Sequence, residues 1–224
     1  TSICFSNNSN LKWMNSAITS KKDIPNVSKV LEIYGVNPFE VGIIRETDTS
    51  KMVTNSPDLI IPEIESSTVT KDLYNTTGVI LVNATKININ EDKLEELKVK
   101  KTELALASKD SYFRTNFNNQ QDAISSEDEK GTFIVGAELE KTIKEKNEET
   151  NESAVTSKLI IYGENYFVSD YQLSQNSQYG AIQLAYNKDL VLNSIAYLVD
   201  RPEDITARKN TGTVTYTAIE FNTK

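Results

Sequence analysis

The stretch NKDLVLNSIAYLVDRPEDITARK, Asn187 to Lys209, constrains the fold of this chain more than any other. Its apolar residues Leu190, Val191, Ile195, Leu198 and Val199 recur at helical spacing. Asn187 or Asp189 suits an N-cap, and Pro202 cannot continue a helix, so the segment predicts a helix with one apolar stripe. Such a helix is marginal alone in water and needs an apolar surface beneath it. The run that follows, TVTYTAI (Thr213 to Ile219), alternates β-branched residues with others and predicts a terminal strand.

A second helix is predicted at DIPNVSKVLEIYGV, Asp23 to Val36. Asp23 suits the cap, Pro25 the first turn and Gly35 the left-handed stop, while Val27, Val30, Leu31 and Tyr34 form the stripe. Strands are predicted at Val41 to Arg45, at the apolar run Gly78 to Ala84, at Thr102 to Ala107, within Gly131 to Ile143, and at Ser157 to Tyr162. Pro57 and Pro62 mark Asn55 to Ile64 as an extended connection or edge strand. Glu91 to Leu97 reads as a short helix or turn, and Lys144 to Thr156 as a solvated hairpin loop. Strands interleaved with helices predict an α/β layered domain, with a mixed sheet flanked by helices. Residues 1–22 form an N-terminal extension or first strand region, and residues 23–224 a single domain.

The composition narrows the chemistry. The 224 residues include no histidine and a single cysteine, Cys4, so Ser-His-Asp and Cys-His relays, histidine zinc sites, multi-cysteine clusters and intrachain disulfides are excluded. With 24 basic and 32 acidic residues the net charge is −8, and the four arginines are scattered, which argues against nucleic acid as a partner. Phosphate-loop patterns are missing from the eight glycines, and no cofactor is indicated. The oxygens of Asn88, Asn90 and Asp92 have EF-hand spacing but lack the glycine and the closing glutamate. No run approaches the ~18 apolar residues of a membrane span. The cluster Glu127, Asp128 and Glu129 reads as a solvated loop.

Paired carboxylates are the acid–base chemistry this composition permits. Asp110 and Glu164 each directly follow a predicted strand, and in open α/β sheets ligands gather beyond the carboxyl ends of strands. Ser108, Ser111, Asn165, Ser169 and Asp170 share the same two loops. These seven residues are the candidate ligand- or partner-binding set; for Asp110 and Glu164 the structural alternative is capping of turns or helices.

Three segments carry a resemblance. SKDSYFRTNF (Ser108 to Phe117), SKLIIYGENYFVSD (Ser157 to Asp170), and the Asn187 to Lys209 helix followed by GTVTYTAIE together resemble the extracytoplasmic domain of the gliding-motility-type auxiliary ABC transporter family. DIPNVSKVLEIYGV and NSPDLIIPEI fit the same order, so the likeness runs from about Asp23 to the C-terminus. It implies a flavodoxin-like or class I glutamine amidotransferase-like α/β fold. It also implies a membrane-anchored bacterial protein on the extracytoplasmic face, working with ABC permease and ATPase subunits. A membrane segment outside this sequence, just after Lys224, is part of that expectation. Amidotransferase chemistry does not carry over, because that fold uses a Cys-His pair and this chain has no histidine. The function expected is noncatalytic recognition of a partner protein or surface polymer. The alternatives are a carboxylate-based, glycosidase-like enzyme acting on envelope sugars and a solute receptor.

Overall fold

Two long β-branched runs with a short connection between them organise the fold, because a connection of that length joins strands only antiparallel. The computed structural model describes residues 2–5, 25–37, 42–74, 78–116, 124–145, 153–164, 166–170, 172 and 180–206. In chain order the elements are β1 (Ser2–Phe5), α1 (Pro25–Ile33), β2 (Ile43–Arg45), β3 (Met52–Val53), β4 (Ser56–Ile60), β5 (Glu63–Ile64) and β6 (Leu81–Val82). They continue with α2 (Glu91–Leu97), β7 (Val99–Leu106), β8 (Tyr112–Arg114), β9 (Glu129–Lys130), β10 (Ile134–Glu145), β11 (Ser153–Tyr162) and α3 (Asn187–Leu198). The main sheet has the order β1-β11-β10-β7-β5, and two smaller sheets are β2-β8-β9 and β3-β4-β6.

This topology corrects the expected flavodoxin-like or class I glutamine amidotransferase-like layering. Among the described strands, only β1 with β11 pairs parallel; every other pairing is antiparallel. The helices are not crossovers within one sheet: α2 lies between β6 and β7, which belong to different sheets. The chain leaves β7 at Leu106, passes through β8 and β9, and re-enters as β10 with Ile134 opposite Leu106. It therefore returns beside its exit, which makes the pair antiparallel. The loop expected over Lys144 to Thr156 is shorter than read, since β10 runs to Glu145 and β11 starts at Ser153. The run from Gly78 to Ala84 is buried as expected, yet only Leu81 and Val82 join a ladder. The terminal strand at Thr213 to Ile219 lies outside the described residues.

Each face of the main sheet carries an apolar core. On one, Leu31 and Tyr34 of the α1 end and Leu94 of α2 meet Ala137, Leu139, Leu159 and Ile161. On the other, Leu190 and Leu198 of α3 meet Ile160, Tyr162, Phe167 and residues of the smaller sheets. A register shift on either side of Gly136 lets β10 serve both: Val135 belongs to the α3 core, whereas Ala137 and Leu139 belong to the other. A Cβ at Gly136 would lie 2.9 Å from the Tyr162 ring, so the extra residue must be small.

Both helices are turned from their expected stripes. In α1 the buried positions are Ser28 and Leu31, while Val30 is 43% and Ile33 51% exposed. In α3, Ile195 and Val199 are 43% and 56% exposed, and the buried face includes Asn187, Asp189, Asn193 and Ser194. The α3 N-cap is Tyr186, without a side-chain cap bond, so neither Asn187 nor Asp189 plays that part.

Candidate functional site

Strands β7 and β11 both run antiparallel to β10, so they point the same way and release their following loops at one edge of the main sheet. The sequence-predicted residues therefore emerge from a common edge, in two loops separated at the sheet by the start of β10.

The first loop is strapped to the segment after β2. Ser108 is buried; its hydroxyl accepts from the Asp110 amide at 3.1 Å, and its carbonyl accepts from the Ser111 amide at 3.2 Å. Thr47 Oγ1 donates to the Asp110 carbonyl at 2.7 Å. Ser111 Oγ, also buried, donates to Glu46 Oε2 at 3.0 Å. Glu46 is itself buried, and its Oε1 accepts from the amides of Thr47 and Asp48 at 2.8 and 2.9 Å. Three charge-assisted bonds thus satisfy this carboxylate from within. What the loop offers outward is the side chains of Lys109 and Asp110, with Thr47 beside them. Nearby Asp48 caps the turn at Thr49–Lys51, and the Ser50 hydroxyl and amide hold its carboxyl below the usual range.

The second loop turns on Glu164, which has no exposed surface. Its two oxygens accept from the amides of Tyr166, in a short contact, and Phe167, at 2.7 Å, and so hold the 3-10 turn Tyr166–Val168. The sequence expectation of a ligand-facing Glu164 gives way here to its capping alternative. Ser169 Oγ donates to the Tyr166 carbonyl at 2.7 Å, and the Ser169 carbonyl accepts from Ile182. Asp170 is exposed, and Asn165 lies outside the described residues. Thr85 presses on the start of this loop: a Cβ on Gly163 would sit 1.9 Å from the Thr85 carbonyl oxygen, so only glycine fits. With Glu164 wholly enclosed, Asp110 and Glu164 do not form an open carboxylate pair.

The strand that follows the first loop, β8, carries an ionic cluster that the sequence reading missed. Arg114 Nε and Nη2 donate to Asp128 Oδ1 and Oδ2 at 3.1 and 2.7 Å, and both side chains are almost fully buried. The Arg114 bonds hold the Asp128 carboxyl below its ordinary value. The acidic run around Asp128 predicts a solvated loop; the register of β8 with β9 brings this residue over Arg114 instead. Arg45, opposite Tyr112 in the β2–β8 pair, bonds Asp58 at 2.6 Å. Tyr112 is buried between the two arginines, and burial raises its phenol despite both positive charges.

The polar residues of the resemblance-bearing helix serve the architecture. Asn187 Nδ2 donates to the carbonyls of Ile80 and Ala181 at 2.9 and 2.8 Å, and its Oδ1 accepts from the Ile80 amide at 2.9 Å. The side-chain amide thereby replaces a missing strand partner for Ile80. Asn193 bridges the Val69 carbonyl and the Thr206 amide at 3.3 and 3.1 Å.

Among the described residues there is no group of three or more His, Cys, Asp or Glu able to hold a metal, and no helix long and apolar enough to cross a membrane. Comparison with family models, curated proteins and solved structures finds no match to the chain.

Proposed function

We propose that this chain is a noncatalytic recognition domain of a membrane-anchored ABC transporter auxiliary subunit, working on the extracytoplasmic side with permease and ATPase subunits. The carrying observation is the division of labour at the sheet edge. Glu46 and Glu164, the carboxylates best enclosed for acid–base work, are both satisfied by backbone amides of their own turns. Exposed Asp110 and Asp170 stand on the same loops, where Thr47 bonds the Asp110 carbonyl, Glu46 bonds Ser111, and Ile182 bonds the Ser169 carbonyl. A rigid base carrying exposed charged tips suits recognition, because little loop entropy is lost on contact. The order of the three resembling segments supports the transporter assignment, and the net charge of −8 favours a partner with a basic face.

The test is charge reversal. D110K and D170K, singly and together, are assayed for capture of the permease–ATPase complex from detergent extracts of cells making the parent polypeptide. Capture should fall by about tenfold in the double variant, a loss of ~1.4 kcal/mol, with unchanged thermal unfolding. Capture equal to that of the unaltered chain sinks the assignment of these loops.

A further inference from the structure

Tyr197 of α3 reaches down to two carboxylates on β10. Its hydroxyl lies 2.5 Å from Glu138 Oε1 and 2.7 Å from Glu140 Oε1. Both distances are hydrogen-bond lengths between oxygens. A phenol carries one hydrogen, and an ionised carboxylate carries none. One O–H makes only one linear bond of this length, and a protonated carboxyl is the group that supplies a hydrogen for the second.

We propose that Glu138, Tyr197 and Glu140 form a proton-holding clasp that docks α3 on the main sheet and loosens when its proton leaves. Glu138 is the proton's seat because it is 4% exposed, whereas the Glu140 side chain is 22% exposed and lies 3.5 Å from Lys100 Nζ. Burial raises the Glu138 carboxyl above its ordinary value; the Tyr197 bond acts against that rise, and neighbouring Glu140 adds to it.

The charges around the clasp come from every element packed on it. From β7, Thr102 stands opposite Glu138 and Lys100 opposite Glu140. From β11, Ile160 stands opposite Glu138 and Lys158 opposite Glu140. Lys158 Nζ lies 4.3 Å from the centre of the Tyr197 ring and 2.6 Å from Asp200, just beyond α3. Also from α3, Ser194 bonds the buried Tyr162 hydroxyl at 2.8 Å. The two lysines stand opposite Glu140 and their charges act against the rise at Glu138, whose own direct neighbours on both flanking strands are uncharged.

The sign follows from linkage. A carboxyl whose folded pKa is raised binds its proton more tightly in the folded chain, so folding stability falls as pH rises from the unfolded value, near 4.5, through the folded one. Above that window the clasp holds two negative charges beneath one phenol.

The experiment is carbon NMR of the intact 224-residue chain labelled at the glutamate carboxyl carbons, titrated from pH 3 to 9 and assigned with E138Q and E140Q. The proposal expects one glutamate, absent from the E138Q spectrum, to titrate at a separate midpoint above the rest. Y197F should shift that midpoint. Amide exchange across α3 should quicken on the high-pH side in the unaltered chain and become pH-independent, after correction for intrinsic chemistry, in E138Q. The unaltered chain is decisive without any variant: if all its glutamates titrate together between pH 4 and 5, the clasp is overturned. It is equally overturned if the high midpoint persists in E138Q, or if α3 exchange in E138Q keeps the same pH dependence.

Discussion

Replacing Asn187 by leucine isolates one feature on which the joint between α3 and the smaller sheets depends. The two side chains share the same four-heavy-atom branched skeleton, so N187L leaves no cavity and chiefly removes hydrogen bonds. Three backbone groups lose their Asn187 partner: the Ile80 amide, the Ile80 carbonyl and the Ala181 carbonyl, all on buried residues. The Ala181 carbonyl keeps the Leu184 amide at 3.1 Å, so two groups are orphaned; at about 1–3 kcal/mol for each, and with partial relaxation, the sum is about 2–4 kcal/mol. That is a large share of the ~5–15 kcal/mol by which domains are stable. At ~2–4 °C per kcal/mol for a chain of this length, the midpoint should fall by roughly 4–16 °C. Urea unfolding followed by circular dichroism, with the slope compared between variants, gives the free energy directly. A variant that keeps only the acceptor, N187D, should be at least as damaged at neutral pH and partly recover in acid, where its protonated oxygen can donate. A loss below about 1 kcal/mol in N187L, with an unchanged slope, would refute the idea that the amide stands in for a strand partner.

Other outcomes are as definite. D128N leaves buried Arg114 without its countercharge and should cost about 3–5 kcal/mol at neutral pH by urea unfolding. Because the Asp128 carboxyl is depressed below 3.8, the unaltered chain holds this contribution above pH 4 and loses it as pH drops through the folded value, so the two unfolding curves should converge in strong acid. E164Q keeps one acceptor for the turn at Tyr166–Val168 and should lose about 1–2 kcal/mol, whereas E164A should lose more by urea unfolding. Thr85 Oγ1 is buried without a hydrogen-bond partner, so T85V should raise stability by about 1 kcal/mol; a fall of that size would contradict the reading.

The element inventory was legible where pattern and chemistry agreed. The runs Ser157 to Tyr162 and Thr102 to Ala107 fall on β11 and β7, because continuous apolar or alternating residues admit few other uses. The topology was not legible, since helix-strand alternation resembles a crossover pattern even when the flanking strands join different sheets. Stripe reading also misjudged α3: Asn187, Asn193 and Ser194 look like a polar face, yet all are buried as hydrogen-bond brackets. At the candidate site, the position of Ser108, Asp110, Glu164 and Ser169 after strands was readable, while their partners were not. Glu46 lies 65 residues from Ser111, and nothing in a single sequence links them.

The claim that matters most is that the sheet-edge loops touch a partner. A photoreactive amino acid placed at Asp110, at Asp170 and, as a control, at exposed Lys93 on α2 reads it out in cells making the parent polypeptide. Crosslinks to a permease or ATPase subunit from positions 110 and 170, and none from 93, are the predicted result. Crosslinks from position 93 alone, or none from any of the three, would contradict it.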